Sequence, residues 1–121
     1  QIGSLFAATE EASAHQEWKN KIVDLNEGDT FLTLKELAPV RLVKNKFFSE
    51  LDEIYKSGKD IETLKNLLGR GRSKKGMWEG DMEEGELEIG QVSALIKEVL
   101  PVEKVFEKLL REFNEAVNPK F

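Results

Sequence analysis

A mainly α-helical fold carrying one or two short strands is what this sequence predicts, and three observations predict it. Apolar residues recur at three- and four-residue steps through most of the second half. Gly, Asp and Pro interrupt those stretches at positions where helices start and stop. Thr30-Phe31-Leu32-Thr33-Leu34 alternates and reads as a short strand.

Taken in order, residues 1–6 are too short to classify by period, but small and apolar residues followed by Thr9-Glu10-Glu11 suggest a strand end turning into a helix. Ala8, Ala12, His15, Ile22 and Leu25 then predict helix to about Leu25, with a break near Ser13, where Ser13 and Gln16 read as a capping box. Asn26-Glu27-Gly28-Asp29 is turn chemistry leading into the short strand. Pro39-Val40-Arg41-Leu42-Val43 reads either as extended chain or as a helix start with Pro39 at its first position. Phe47, Phe48, Leu51, Ile54 and Tyr55 form a stripe that stops at Gly58. Asp60 caps a second helix bearing Ile61, Leu64, Leu67 and Leu68 up to Gly69, and the two predict a helical hairpin. Val92, Leu95, Ile96 and Val99 predict a further helix ended by Pro101. That proline opens a longer one with Val102, Val105, Phe106, Leu109, Leu110, Phe113 and Val117. No internal repeat or low-complexity tract is present.

Composition narrows the function classes. The 121 residues suit one domain able to bury a core, with 40% apolar and 34% charged residues. A net charge of −5 and a pI near 5.0 argue against a general attraction to nucleic acid or an anionic membrane, so any phosphate must be bound locally. The chain has no cysteine, which excludes a disulfide scaffold and a thiolate metal site and leaves reducing cytoplasm as the default address. No apolar run approaches the roughly 18 residues of a membrane span, and nothing reads as a signal peptide. A chain that opens on Gln inside an apolar stretch reads as a piece cut from something longer.

Residues 69–91 hold six of the nine glycines and order their charges, four basic residues before six acidic ones. Glycine at this density permits positive φ and close backbone approach at an entropic cost, which points to a working loop. Arg70, Arg72, Lys74 and Lys75 could form a phosphate or RNA patch, but six carboxylates follow, so self-neutralisation is the expectation. Glu79, Asp81, Glu83, Glu84, Glu86 and Glu88 lack the Asp-x-Asp-x-Asp-Gly order of a calcium loop; a solvated acidic run is expected and no metal site is assigned.

The wording of that loop, Gly-Arg-Gly-Arg-Ser-Lys-Lys-Gly-Met-Trp-Glu-Gly-Asp and Glu-Gly-Glu-Leu-Glu-Ile-Gly-Gln, together with Pro39-Val40-Arg41-Leu42-Val43-Lys44-Asn45 and Gln1-Ile2-Gly3-Ser4-Leu5-Phe6, resembles the C-terminal part of the nitronate monooxygenase family. These are FMN-dependent enzymes also called 2-nitropropane dioxygenases, with flavin-type enoyl-acyl-carrier-protein reductases as relatives. The resemblance covers nearly the whole chain. It implies the C-terminal segment of an α/β (β/α)8 TIM barrel, starting inside the eighth strand, in which residues 1–45 close the barrel and residues 46–121 form a helical C-terminal region with the Gly-rich loop 69–91.

Several site residues follow from the resemblance. Gln1, Ile2, Gly3 and Ser4 match a Gln-Ile-Gly-Thr segment that holds the flavin phosphate with backbone N–H groups and a hydroxyl. The chemistry is sound, since Gly3 admits close approach, Ser4 brings a hydroxyl and a helix N-terminus favours an anion. Ser4 replaces the family's Thr and keeps the donor; Leu5 replaces its Arg and removes a charge. Gly90 and Gln91 are implied on the flavin side of the barrel mouth, facing substrate. His15, the only histidine, reads as structural, because the family's catalytic histidine belongs to an earlier strand; no catalytic residue is assigned. Trp18 reads as a partly exposed packing residue, and Trp78 as an aromatic that either closes over a pocket or pins the loop by its buried area, the second being the expectation.

The implied function is that of a segment of an FMN-dependent oxidoreductase of alkyl nitronates, with a small nitronate as substrate in the intact enzyme and no nucleic-acid or membrane partner. Alone it is expected to be inactive and not to retain FMN. Two alternatives stand beside it: a segment of an FMN-dependent enoyl-acyl-carrier-protein reductase, and a non-enzymatic helical module that forms homo-oligomers through exposed apolar helix faces.

Overall fold

The computed structural model describes residues 2–58 and 60–118. It is mostly helical with two short strands. The elements in chain order are α1 (Gly3–Ala7), α2 (Gln16–Val23), β1 (Thr30–Thr33), β2 (Val40–Val43), α3 (Lys46–Lys56), α4 (Ile61–Leu68), α5 (Arg72–Met77), a 3-10 turn (Gln91–Leu95) and α6 (Val102–Val117).

β1 and β2 pair antiparallel with Thr30 opposite Val43 and Thr33 opposite Val40. The connection turns at Leu34, whose φ of 55° is unusual for a side chain of its size and whose carbonyl accepts from Leu37 and Ala38. On the other edge of β2 the chain returns as residues 87–89: Val43 N–H donates to the Leu87 carbonyl (2.9 Å), and Leu42 bridges Glu88. That return is the seam of the molecule. Leu87 and Ile89 pack on one side with Ala8, Trp18, Ile22, Leu25, Val43 and Ile96, while Leu42 joins Leu34, Phe47, Phe48, Leu51 and Leu64 in a second cluster.

The helical hairpin follows its local signals. Asn45 Oδ1 accepts from the Phe48 N–H and starts α3; Asp60 Oδ1 accepts from the Thr63 N–H and starts α4. Gly69, with φ of 58°, ends α4.

Elsewhere the sequence-based expectations are corrected. Residues 2–6 are no strand end: Gly3–Ala7 is a short helix, and among the described residues no strand lies beside it to take up ladder hydrogen bonds. The helix expected through Leu25 is a run of turns to residue 14 followed by α2. Its cap is His15, not Ser13: His15 Nδ1 accepts from the Glu17 N–H at 3.2 Å, and the His15 N–H donates to Met77 O at 2.7 Å. Tertiary anchoring to the loop thus sets where α2 begins. Trp18 is 1% exposed rather than partly exposed, because residues 87–89, distant in sequence, close over it.

Two further corrections concern the second half. The Gly-rich segment contains α5, nucleated at Gly71 in the left-handed region and closing against residues 85–87. The helix expected from Val92 to Val99 shortens to the 3-10 turn, with Val92 and Leu95 65% and 79% exposed. α6 begins after Pro101 as expected, but only Val105 on it is buried; Phe106, Leu110, Phe113 and Val117 are exposed. No helix among the described residues is long and apolar enough to cross a membrane.

Candidate functional site

Two of the glycines in 69–91 are there for close packing. A Cβ on Gly85 would fall 2.6 Å from the Gly76 nitrogen and 2.5 Å from the Asp81 carbonyl oxygen; one on Gly76 would meet Leu87 Cδ2 at 2.5 Å. The two backbones touch, which draws α5 against the return segment. Asn45 fastens the same corner by donating from Nδ2 to the carbonyls of Met82 (2.9 Å) and Gly85 (2.8 Å).

Charge in this region is largely self-paired. Arg72 Nη1 donates to the Glu84 carbonyl (2.8 Å) and Nη2 to the Leu67 carbonyl (3.1 Å), with the guanidinium 4.7 Å over the Phe47 ring. Lys46 pairs with Glu84, Lys74 with Glu79 at 3.6 Å and Lys75 with Asp81 at 3.5 Å. The Lys46 hydrogen bond holds the Glu84 carboxyl below its ordinary value. Asp81 lies low because the Glu84 N–H donates to it. Three of the four basic residues of 69–91, Arg72, Lys74 and Lys75, thus face carboxylates of the same segment. Among the described residues no group of three or more His, Cys, Asp or Glu side chains could hold a metal ion.

The implied cofactor residues meet the second implied segment. The Gly90 N–H donates to Ser4 Oγ at 3.1 Å, across 86 positions of sequence. Accepting that bond leaves the Ser4 hydroxyl proton free to donate. A Cβ on Gly90 would sit 2.6 Å from Ser4 Oγ, whereas one on Gly3 would meet nothing within 4 Å. Gly90 is therefore required by the contact, and Gly3 opens onto space. α1 has no side-chain cap hydrogen bond at Ile2, and among the described residues no side chain accepts from its first N–H groups.

Two adjoining grooves meet at this contact. One, of about 550 Å³, is lined by Ile2, Gly3, Ser4, Gly90 and the apolar Val92, Leu95 and Leu109, with Lys108 and Glu112 of α6 at its side. The other, of about 450 Å³, runs from Gly3, Ser4 and Gly90 past Trp18 and Met77 to Arg41 and Glu88. Ile2, Gly3, Ser4 and Gly90 are thus brought together. Gln91 opens the 3-10 turn with its side chain exposed and lines neither groove. Gln1 lies outside the described residues. A separate hollow of about 260 Å³ between β1 and α3 holds none of these residues.

His15 caps α2, with its ring against Gly80, where a Cβ would come within 2.6 Å of Cε1. Trp78 is 51% exposed, so buried area does not pin the loop; its backbone N–H, bonded to Lys74 O, ends α5. Sequence reasoning missed Lys108, Glu88 and Arg41 as groove residues. The alternation of Glu86-Leu87-Glu88-Ile89 was the available signal, since it marks an extended segment with one face buried.

Comparison with known proteins gives this geometry its context. Residues 1–112 match the model of the nitronate monooxygenase family, and the chain belongs to that family. It is 29% identical over 117 residues to a probable nitronate monooxygenase of Bacillus subtilis (strain 168), covering 93% of this chain and 32% of that protein. Among solved structures it is similar to FabK from Thermotoga maritima, at a TM-score of 0.82 and 32% identity over 93% of this chain and 35% of the other. A mutant of the same FabK gives a TM-score of 0.75 at 32% identity, over 93% and 33%. The chain spans about a third of the length of the relatives it matches.

Proposed function

We propose that this chain is the C-terminal part of an FMN-dependent oxidoreductase of alkyl nitronates, in which Gly3 and Ser4 hold the flavin phosphate and Gly90 fixes the Ser4 side chain. The observation that carries the reading is the Gly90 N–H to Ser4 Oγ bond, which sets the two segments of the resemblance on one groove. The residues fit a phosphate: Gly3 leaves open space, Ser4 keeps a proton to donate, and α1 offers uncapped N–H groups. In this reading, residues 1–45 close an α/β barrel and residues 46–121 form its helical cover.

FMN, when bound, would supply the redox step by which a nitronate is oxidised with oxygen. This chain's part is to bind and orient. Ser4 and the α1 N–H groups take the anionic end, Gly90 fixes the Ser4 rotamer, and Val92, Leu95 and Leu109 give the groove an apolar wall. None of its residues is assigned a proton-transfer role toward nitronate. The exposed faces of α6 and of Val92 and Leu95 would pack against the remainder of a longer protein.

A second reading, a segment of a flavin-dependent enoyl-acyl-carrier-protein reductase, draws on the likeness to FabK and uses the same phosphate residues. The purified chain tests the reading. Intact mass, visible absorbance and nitronate-dependent oxygen uptake should describe a colourless 13.8 kDa species without turnover. A yellow chain that turns over nitronate by itself would refute the assignment of the chain to a supporting segment.

A further inference from the structure

Ser73, on α5, stands between two carboxylates. Its Oγ lies 3.1 Å from Glu86 Oε2 and 3.1 Å from Glu88 Oε1. A hydroxyl has one proton to give. With both carboxylates ionised it can bond only one of them, and the other contact sets lone pairs against lone pairs between two like charges. Both contacts become hydrogen bonds when one carboxyl carries a proton, donates it to Ser73 Oγ, and Ser73 donates to the other.

The surroundings decide which carboxyl that is. Glu86 is 8% exposed and sits between Gly85 and Leu87 in the wall of the core, whereas Glu88 is exposed and lines the groove that holds Ser4 and Gly90. Burial first, and then the charge of Glu88, push the Glu86 carboxyl up from its ordinary value; the Ser73 bond and Arg72 act the other way. The remaining cations nearby are turned elsewhere: Arg41 of β2 to Thr30, Lys46 of α3 to Glu84, Lys74 to Glu79 and Lys75 to Asp81.

We propose that Glu86, Ser73 and Glu88 form a unit that stores one proton in the protein wall and presents it, through Ser73, at the carboxyl of Glu88 in the groove. Transfer is a concerted double shift. The Glu86 proton passes to Ser73 Oγ as the Ser73 proton passes to Glu88, so one proton leaves the buried carboxyl, one arrives at the exposed carboxyl, and Ser73 is unchanged. The unit gives the groove a proton donor and acceptor pair whatever ligand occupies it, and it does not depend on the flavin reading.

Side-chain carboxyl-carbon NMR of the chain, followed from acid to mildly alkaline pH and assigned with Glu86→Gln and Glu88→Gln, tests the unit. The Glu86 signal should show two inflections, the upper one above the ordinary carboxylate range. Ser73 stabilises the singly protonated state, so Ser73→Ala should lower the upper inflection while Ser73→Thr keeps it. Single inflections in the ordinary range would overturn the proposal. So would a rise of the Glu86 inflection in Ser73→Ala, the sign expected if the hydroxyl merely donates to an ionised Glu86. Should Ser73→Ala fail to fold, Glu88→Gln decides with the wild-type curves: Glu86 must lose its second inflection, and keeping two would overturn the shared proton.

Discussion

Replacing Gly85 by Ala adds a single methyl, yet the structure gives it no place to go. The new Cβ would lie 2.5 Å from the Asp81 carbonyl oxygen and 2.6 Å from the Gly76 nitrogen, both backbone atoms that no rotamer change can move. Relief requires α5 and the return segment to separate. Overpacking a tight site costs about 1–3 kcal/mol. Separation also strains the Glu86 N–H bond to Arg72 O (3.0 Å) and the Asn45 Nδ2 bond to Gly85 O (2.8 Å), each worth about 1 kcal/mol net. The expected loss is therefore about 3–5 kcal/mol, a large share of the about 5–15 kcal/mol that holds a domain folded. Urea unfolding followed by circular dichroism measures it. Gly58→Ala is the control, because Gly58 has φ of 66° with nothing within 4 Å of its added Cβ, so backbone strain of about 1 kcal/mol is all that should appear. If Gly85→Ala costs no more than Gly58→Ala, the close packing of α5 on residues 85–87 is refuted.

Further outcomes follow from the same contacts. Arg72→Met removes two carbonyl partners and the contact over Phe47, and should cost about 2 kcal/mol in the same unfolding assay; Arg72→Lys should recover less than half, since an ammonium cannot span both carbonyls. Asp60, Asp81 and Glu84 sit below their ordinary values, through the Thr63 N–H, the Glu84 N–H and the Lys46 hydrogen bond in turn. A lowered folded value contributes stability above the unfolded value and loses it as pH falls through the folded one, so urea midpoints should drop on acidification below the ordinary carboxylate range. Asp60→Asn keeps the cap and should shrink that drop. Glu86 has the opposite sign: its raised value favours the fold at low pH, and the contribution is lost as pH rises through the folded value. Glu86→Gln should therefore flatten the alkaline side of the stability profile. Phe113→Glu with Leu110→Glu should abolish concentration-dependent association in sedimentation, whereas a monomeric wild-type chain would show that the exposed α6 face does not self-associate.

The parts of the fold legible in the sequence are those encoded within a few residues. Asp60 with Thr63, Phe47 through Tyr55 and the alternation at Thr30–Thr33 each carry their signal in one window, and each element stands where that window puts it. The misreadings share a cause in partners distant along the chain. Trp18 is buried because Leu87 and Ile89 return over it; α5 forms within glycine-rich sequence because Gly76 and Gly85 meet backbone to backbone. The Val92–Leu95 stretch has helical spacing but buries only Ser93 and turns Val92 and Leu95 to solvent, and it stays a single 3-10 turn. At the candidate site, the wording of the sequence marked Ile2, Gly3, Ser4 and Gly90. It did not show that Ser4 bonds Gly90, nor that Lys108 and Glu88 stand beside them, since those facts depend on where α6 and the return segment pack.

Amide NMR of the labelled chain titrated with FMN, and with inorganic phosphate as a second probe, tests the phosphate reading most directly. The account predicts weak, saturable shifts in both titrations that centre on Gly3, Ser4 and Gly90 and vanish in Ser4→Ala. Shifts centred on the Arg70–Lys75 cations, or none at Gly3 and Ser4 at saturating ligand, would contradict it.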